Sequence, residues 1–365
     1  MFLVTYPKGP IVHSSRRRIV PVALLLAATL TLAACGSSSK SPAGAGTTEP
    51  SGEKVTLRLG YLPNVTHAPA IVGLENGSFE KALGSNVELK TSSYNSGTDE
   101  TTAILANALD AAFVGPNPAI NAYQKSKGTL IRIVAGTASG GAFLVVKPSI
   151  TSVGDLKGKK IATPSLGNTQ DVAARAFLES KGLKTDTTGG GDVSIVPQDN
   201  STTVTAFQTD AIDGAWVPEP YATKLKDEGG KVLVDEASLW PEGKFVTTNL
   251  MVTTKFLADH PDIVANLVKG LAGSIDLINK QPAEAEQLVS KGTEKATGKA
   301  LAVDLVKASF KSITFTLDPI TASLQKDAEA AKSLGFIDST DLSNIYSLDI
   351  VNELLTKRGE PTITP

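Results

Sequence analysis

The sequence predicts an α/β protein of two domains, and three observations carry that expectation. Segments with a two-residue apolar period alternate with helical segments through most of the chain. The 365 residues fill about two domains at roughly 150 residues each. The loops that follow the strands are built from Gly, Ser, Thr and Asn. A composition 41% hydrophobic and 20% charged, with 32 Gly and 20 Pro, excludes both a disordered chain and a fibrous repeat, and no period of solenoid length is present. With 35 basic against 37 acidic residues there is no basic excess to gather on one face, so a nucleic-acid partner is not expected.

The first 34 residues read as an export signal. They carry Lys8, Arg16, Arg17 and Arg18 and no acid, followed by an apolar run from Ile19 to Ala34, the basic and apolar regions of a secretory leader. About 16 apolar residues fall short of the roughly 20 that span a bilayer as a helix. The run ends in Leu32-Ala33-Ala34-Cys35-Gly36, which resembles the bacterial lipobox, where signal peptidase cuts before a lipidated cysteine. Cys35 is then the first residue of the mature chain and its lipid anchor. As the only cysteine it leaves no intrachain disulfide and no CxxC site. Small and polar residues fill positions 35–52, the composition of a flexible tether. Of the 35 Lys and Arg, four leave with the signal, so 31 basic residues remain against 37 acidic ones. Such a head gains no attraction from an anionic membrane, and the lipid alone holds it at the outer face of the cell membrane.

The elements follow in order. Val55 to Tyr61 alternates apolar and polar residues as a strand does; Ala68 to Glu75 is helical and closes at Asn76-Gly77; a strand runs near Val87 to Thr91. Asp99 to Leu109 reads as helix, then Ala111 to Val114, Ile131 to Ala135, Phe143 to Val146 and Lys160 to Thr163 as strands, and Thr169 to Lys181 as helix. Val193 to Val196, Asp213 to Val217, Val232 to Val234 and Asn249 to Thr253 are short strands, and from Pro261 the chain is almost entirely helical. Alternation of this kind implies mostly parallel sheets covered by helices on both faces.

In open sheets of this class ligands bind beyond the carboxyl ends of the strands, at helix N-termini. The loops there are Leu62 to Pro69, Tyr94 to Thr98, Gly115-Pro116-Asn117-Pro118, Ser139-Gly140-Gly141, Pro164 to Asp171 and Trp216 to Pro220. None holds Lys or Arg, so a small anion there is held by neutral dipoles and orphan backbone N–H groups. That favours a sulfonate-like oxyanion over a polyphosphate, which recruits Arg or Lys. Gly167-Asn168-Thr169-Gln170 is the sharpest case: Asn168 falls at an N-cap, Asp171 at the third helical position, and Gly182 follows the last turn.

In order and spacing, Gly60-Tyr-Leu-Pro-Asn-Val-Thr-His-Ala68, Asn95-Ser96-Gly97, Leu109-Asp-Ala-Ala-Phe-Val-Gly115, Asp155-Leu-Lys-Gly-Lys-Lys160, Leu166-Gly-Asn-Thr-Gln-Asp171 and Asp213-Gly-Ala-Trp-Val-Pro-Glu-Pro220 resemble the nitrate/sulfonate/taurine family of ABC-transporter substrate-binding proteins. The likeness covers roughly Val55 to Phe336. It implies a type II periplasmic-binding-protein fold: two α/β lobes joined by crossover strands and closing over a ligand. Residues 53–141 plus 248–365 would form lobe one and 142–247 lobe two, with Phe143 to Lys147 as the first crossing and Thr247 to Thr254 as the return. The implied protein is a monomer that captures an aliphatic sulfonate or taurine and delivers it to a membrane permease, without a cofactor. The family often has Trp after the Glu-Pro pair, where this chain has Tyr221.

The expected ligand-binding residues are Asn64, Thr66, His67, Ser96, Gly97, Asn117, Gly141, Asn168, Thr169, Gln170, Trp216 and Glu219. For three of them the sequence leaves two roles open. His67 either bonds locally at a helix start or meets the ligand, where an ordinary imidazole would make affinity pH-dependent. Trp216 is either core or a stacking platform. Glu219 either pairs a ligand ammonium or caps a turn. His13, His67 and His260, with no acid or thiol at ligand spacing, give no metal cluster. Two rival readings are a receptor for nitrate or another small organic ligand, and an enzyme like the thiamine-pyrimidine synthases. The cysteine-rich motif of that enzyme family has no counterpart, and no Ser/His/Asp or Cys/His constellation appears.

Overall fold

A computed structural model describes residues 54–365; the export signal, Cys35 and the tether lie outside the described residues. Strands β1 (Val55–Tyr61), β2 (Val87–Ser93), β3 (Ala111–Val114) and β4 (Ile131–Gly140) are interleaved with helices α1 (Ala68–Glu75), α2 (Ser78–Leu83), α3 (Gly97–Leu105) and α4 (Pro116–Lys125). The chain continues through β5 (Ala142–Val146), β6 (Lys160–Thr163), α5 (Thr169–Ser180), β7 (Ser194–Pro197), α6 (Asn200–Gln208), β8 (Gly214–Pro218), α7 (Tyr221–Asp227) and β9 (Lys231–Asp235). It returns along β10 (Val246–Thr253) into α8 (Thr254–Asp259), α9 (Pro261–Lys280), α10 (Pro282–Thr297), α11 (Val303–Phe310), β11 (Ile313–Phe315), α12 (Thr321–Ser333) and α13 (Asp349–Arg358).

These strands form two sheets, one ordered β11-β4-β10-β3-β1-β2 and the other β7-β6-β8-β5-β9. Each sheet is the middle layer of a lobe. In lobe one, Leu57, Leu59, Phe113 and Leu250 face α1, α9 and α10, while Ala112, Val114 and Met251 face α3, α4 and α12. In lobe two, Leu144, Ile161 and Trp216 fill one face and Phe143, Val145, Ala215 and Val217 the other. Neighbours along a strand thus take opposite faces, the period of two that made these segments legible.

The two sheets repeat one plan. In each, a central strand pairs in parallel with two neighbours (β1 with β2 and β3; β6 with β7 and β8). Beyond the third strand lies one that runs antiparallel, β10 in the first sheet and β5 in the second. The sheets are therefore mixed where mostly parallel ones were expected, because β10 and β5 belong to the passages between lobes and run against their neighbours. The first passage is a turn at Gly140 and Gly141, both with positive φ (82° and 73°), a conformation that favours glycine.

Several boundaries differ from the expected ones for local reasons. The helix expected over Asp99 to Leu109 ends at Leu105. There Asn107 adopts φ 55°, and the Asn107 and Ala108 N–H groups close on the Ile104 and Ala103 carbonyls, a Schellman termination. β4 runs five residues beyond its apolar part, through Gly136, where a Cβ would meet the Asp318 carbonyl oxygen at 2.1 Å. Gly115-Pro116-Asn117-Pro118 opens helix α4 rather than forming a free loop, since proline fits the first helical turn.

Candidate anion-binding cavity between the lobes

The carboxyl ends of β1, β3, β6, β7 and β8 converge on a cavity of about 40 Å³. Lobe one supplies Leu62, Asn64, Thr66 and His67 after β1, Asn95, Ser96 and Gly97 at the start of α3, and Gly115 and Pro118 at the start of α4. Lobe two supplies Pro164, Asn168, Thr169 and Gln170 at the start of α5, Asn200 at the start of α6, and Pro218, while Thr247 closes the wall from β10. The lining contains no Lys, Arg, Asp or Glu. A larger groove of about 790 Å³ opens on lobe one between α9, α13 and the last residues. It lies on lobe one alone, beside the end of β11, and most of its charges pair with each other, Arg358 with Asp276 at 2.8 Å.

Two helix starts are held in place by their own caps. Ser96 Oγ accepts the Asp99 N–H at 3.2 Å, and Asn168 Oδ1 accepts the Asp171 N–H at 3.0 Å. Each cap satisfies the third helical N–H, leaving the first two, of Gly97 and Thr98 in α3 and of Thr169 and Gln170 in α5, without an intrahelical acceptor. The Asp171 carboxylate accepts from Thr163 Oγ1 (2.7 Å), Gly167 N (2.9 Å) and Arg175 Nε (2.9 Å), and both members of this ion pair are buried. The acid in the first turn of α5 is thus neutralised beneath the cavity and does not oppose an anion in it.

The lobes meet around the cavity. Thr98 Oγ1 lies 3.2 Å from Ser165 Oγ, and Asn121 Nδ2 donates to the Gly167 carbonyl at 3.3 Å. Two lining amides remain unanswered: Asn64 Oδ1 and Asn200 Oδ1 are buried without a hydrogen-bond partner. A buried amide oxygen of this kind normally has a partner, and among the described residues these two have none.

Eight of the twelve expected residues come together here: Asn64, Thr66, His67, Ser96, Gly97, Asn168, Thr169 and Gln170. His67 Nδ1 accepts the Leu62 N–H at 3.3 Å, which leaves the proton on Nε2. Burial pushes its pKa down to about 3, so the ring is neutral near pH 7 and the alternative of an ordinary imidazole titrating near neutrality does not hold. The other four stand apart from the lining. Trp216 is in the core of lobe two, its Nε1 donating to Glu236 Oε2 at 2.7 Å and its ring 5.4 Å from that of Phe177. Both Glu219 oxygens are engaged, by Thr223 N (3.0 Å), Thr223 Oγ1 (2.8 Å) and Ser309 Oγ (3.2 Å), which is the turn-capping role. Asn117 Nδ2 donates to the Asp327 carbonyl on α12 at 3.3 Å. Gly141 is at the passage between sheets, where a Cβ would meet Ile313 Cγ1 at 2.5 Å. Asn200 and Thr247 were missed by the sequence reading. Asn200 follows β7 as Asn168 follows β6, and that parallel was the available signal.

Two lobes, each built on a mixed sheet, with a polar cavity between them define the periplasmic-binding-protein fold. Residues 51–291 match the model of the NMT1-like family, and the chain belongs to that family. A Brucella abortus (strain 2308) protein named as a binding protein is 27% identical over 270 residues, 70% of this chain and 80% of that one. The taurine-binding periplasmic protein of Escherichia coli K12 is 28% identical over 201 residues, 55% of this chain and 60% of that one. Among solved structures, the periplasmic nitrate-binding protein of Synechocystis PCC 6803 superposes with a TM-score of 0.72 at 15% identity, covering 84% of this chain and 89% of that one.

Proposed function

We propose that this protein is the solute receptor of an ABC importer, carried outside the cell membrane on a lipid at Cys35, and that it captures a small sulfonate-like anion between residues 53–141 plus 248–365 and residues 142–247. The observation that carries this reading is the cavity itself, lined by helix N-termini and uncharged donors with no cation. Neutral dipoles in a dry site hold a monovalent oxyanion without the desolvation cost of a buried Lys or Arg. The likeness to a taurine-binding protein supports a sulfonate. The unpartnered Asn64 and Asn200 Oδ1 atoms add to it for taurine, since an amide oxygen accepts from an ammonium. Closure of the lobes over the guest creates the form that a permease would recognise.

The cavity volume favours a second reading. About 40 Å³ is room for only a few waters, each needing about 10–15 Å³, which suits a tailless oxyanion such as nitrate. Thermal-shift and calorimetric titration with taurine, ethanesulfonate and nitrate tests both. A true ligand at about 100 times its Kd stabilises the protein by about 2.7 kcal/mol and raises the melting temperature. Indifference to all three at millimolar concentration overturns the reading, and turnover of a bound compound would favour the enzyme.

A further inference from the structure

Glu100 is the one acid in the first turns of α3 and α5 that nothing compensates. It is fully buried, and neither carboxylate oxygen has a hydrogen-bond partner among the described residues. Its backbone N–H bonds the Ser96 carbonyl at 3.2 Å, so the residue stands one helical turn behind Ser96 and Gly97, which line the cavity. Its side chain tucks under the end of β1, where a Cβ on Gly60 would fall 2.7 Å from Oε1. β1 then runs into the cavity wall at Leu62 and Asn64.

The groups that face this carboxyl from neighbouring elements supply no cation. From β1, Arg58 is committed to Asp110 (2.8 and 2.6 Å). Asp99, on the same helix, receives the Ser96 hydroxyl at 2.9 Å. Tyr94, in the segment entering α3, has its pKa raised, chiefly by burial and then by its nearness to Glu100. The turn after α3 presents Leu109. α4 presents Pro118 towards α3, and its Lys125 is exposed at the far end. Burial holds the Glu100 carboxyl neutral well above the ordinary Glu range.

Resting on the anion-capture reading above, we propose that Glu100 couples capture to a proton: the cavity holds its anion while this carboxyl is neutral and releases it as the carboxyl ionises. The cavity's positive potential comes from dipoles alone, so one negative charge behind α3 is a large perturbation. Four residues along a helix span about 6 Å, and a like charge at about that range, at an effective dielectric of about 20, weakens anion binding by tenfold or more. The coupling is reciprocal: a bound anion makes the carboxyl harder to ionise. Where the free protein has lost this proton, binding of the anion therefore takes one up.

The test is calorimetric titration of the full-length protein in two buffers of different ionisation heat. Ethanesulfonate and nitrate, whose charge is fixed, are titrated from pH 6 to pH 10, and taurine at pH 6 alone because its own amine titrates within that range. Wild-type affinity for the probe that binds should fall at least tenfold across this range, with proton uptake on binding seen as a buffer-dependent heat. Glu100→Gln should match wild type at pH 6 and lose both the fall and the uptake. A flat wild-type profile without proton uptake, which needs no variant to measure, overturns the coupling while capture stands. So does a Glu100→Gln protein that keeps the wild-type fall. Failure of every probe to bind at any pH removes capture, and the coupling with it.

Discussion

Gly115 of lobe one and Thr169 of lobe two touch across the cleft: a Cβ on Gly115 would fall 2.4 Å from Thr169 Oγ1. Gly115 has φ −67°, an ordinary value for any residue, so the glycine serves the approach of the second lobe and not a strained backbone. Gly115→Ala should fold, losing about 1 kcal/mol at the N-cap of α4, yet hold the lobes apart and weaken ligand binding tenfold or more, beyond what that loss explains. Calorimetry beside a thermal melt separates the two effects, and unchanged affinity would mean that the shut cleft is not the ligand-bound form.

Thr169→Ala and Ser96→Ala test the donors themselves. Ser96→Ala also loses an N-cap, worth about 1 kcal/mol, whereas Thr169 caps nothing. Both should weaken binding of the best probe, and Thr169→Ala should do so with its melting temperature unchanged. Full affinity in both variants would move the site elsewhere.

Burial of Glu236 and His67 sets opposing pH dependences of stability. The Glu236 pKa is raised to about 7 from 4.5, chiefly by desolvation. Its contribution is fully present below pH 4.5 and is lost as pH rises towards 7. The His67 pKa is lowered to about 3 from 6.5 by burial. Its contribution is present above pH 6.5 and is lost as pH falls towards 3. Between pH 4.5 and 6.5 the two offset each other. Glu236→Gln should tilt the denaturation free energy towards higher values at higher pH by about 1.4 kcal/mol per pH unit relative to wild type. Urea melts at pH 5, 6 and 7 measure it, and parallel curves for the two proteins would contradict the buried neutral acid.

Cys35→Ala should move the protein from the membrane fraction to the soluble one, with probe affinity intact. Continued sedimentation with membranes would contradict the lipid anchor.

What the chain disclosed depended on whether one element sufficed to explain a residue. β1, β3 and β6 were legible to the residue because each is a short apolar or alternating run bounded by turn residues. Helix α4 was hidden by Pro116 and Pro118, which read as a loop but are accommodated in a first turn. α6 was hidden by the Thr and Val residues of Asn-Ser-Thr-Thr-Val-Thr-Ala-Phe-Gln, whose branched side chains favour strands. In the cavity, the N-cap Asn168 was legible from spacing alone, whereas Ser96, expected only as a ligand contact, proves to be a cap as well. The partners of Trp216 and Glu219 were not, since Glu236 and Ser309 lie 20 and 90 residues away and only tertiary packing brings them near.

Ser139 at the end of β4 and Val246 at the start of β10 are register partners in the first sheet. The stretch between them that builds the second sheet therefore departs and rejoins at adjacent points, as a self-contained insert with its own two cores. A recombination event at those two points would exchange half of the cavity's walls as a block without rethreading the six-stranded sheet. Selectivity can thus change by cassette while the half carrying the first strand and the long carboxyl-terminal helices is inherited intact.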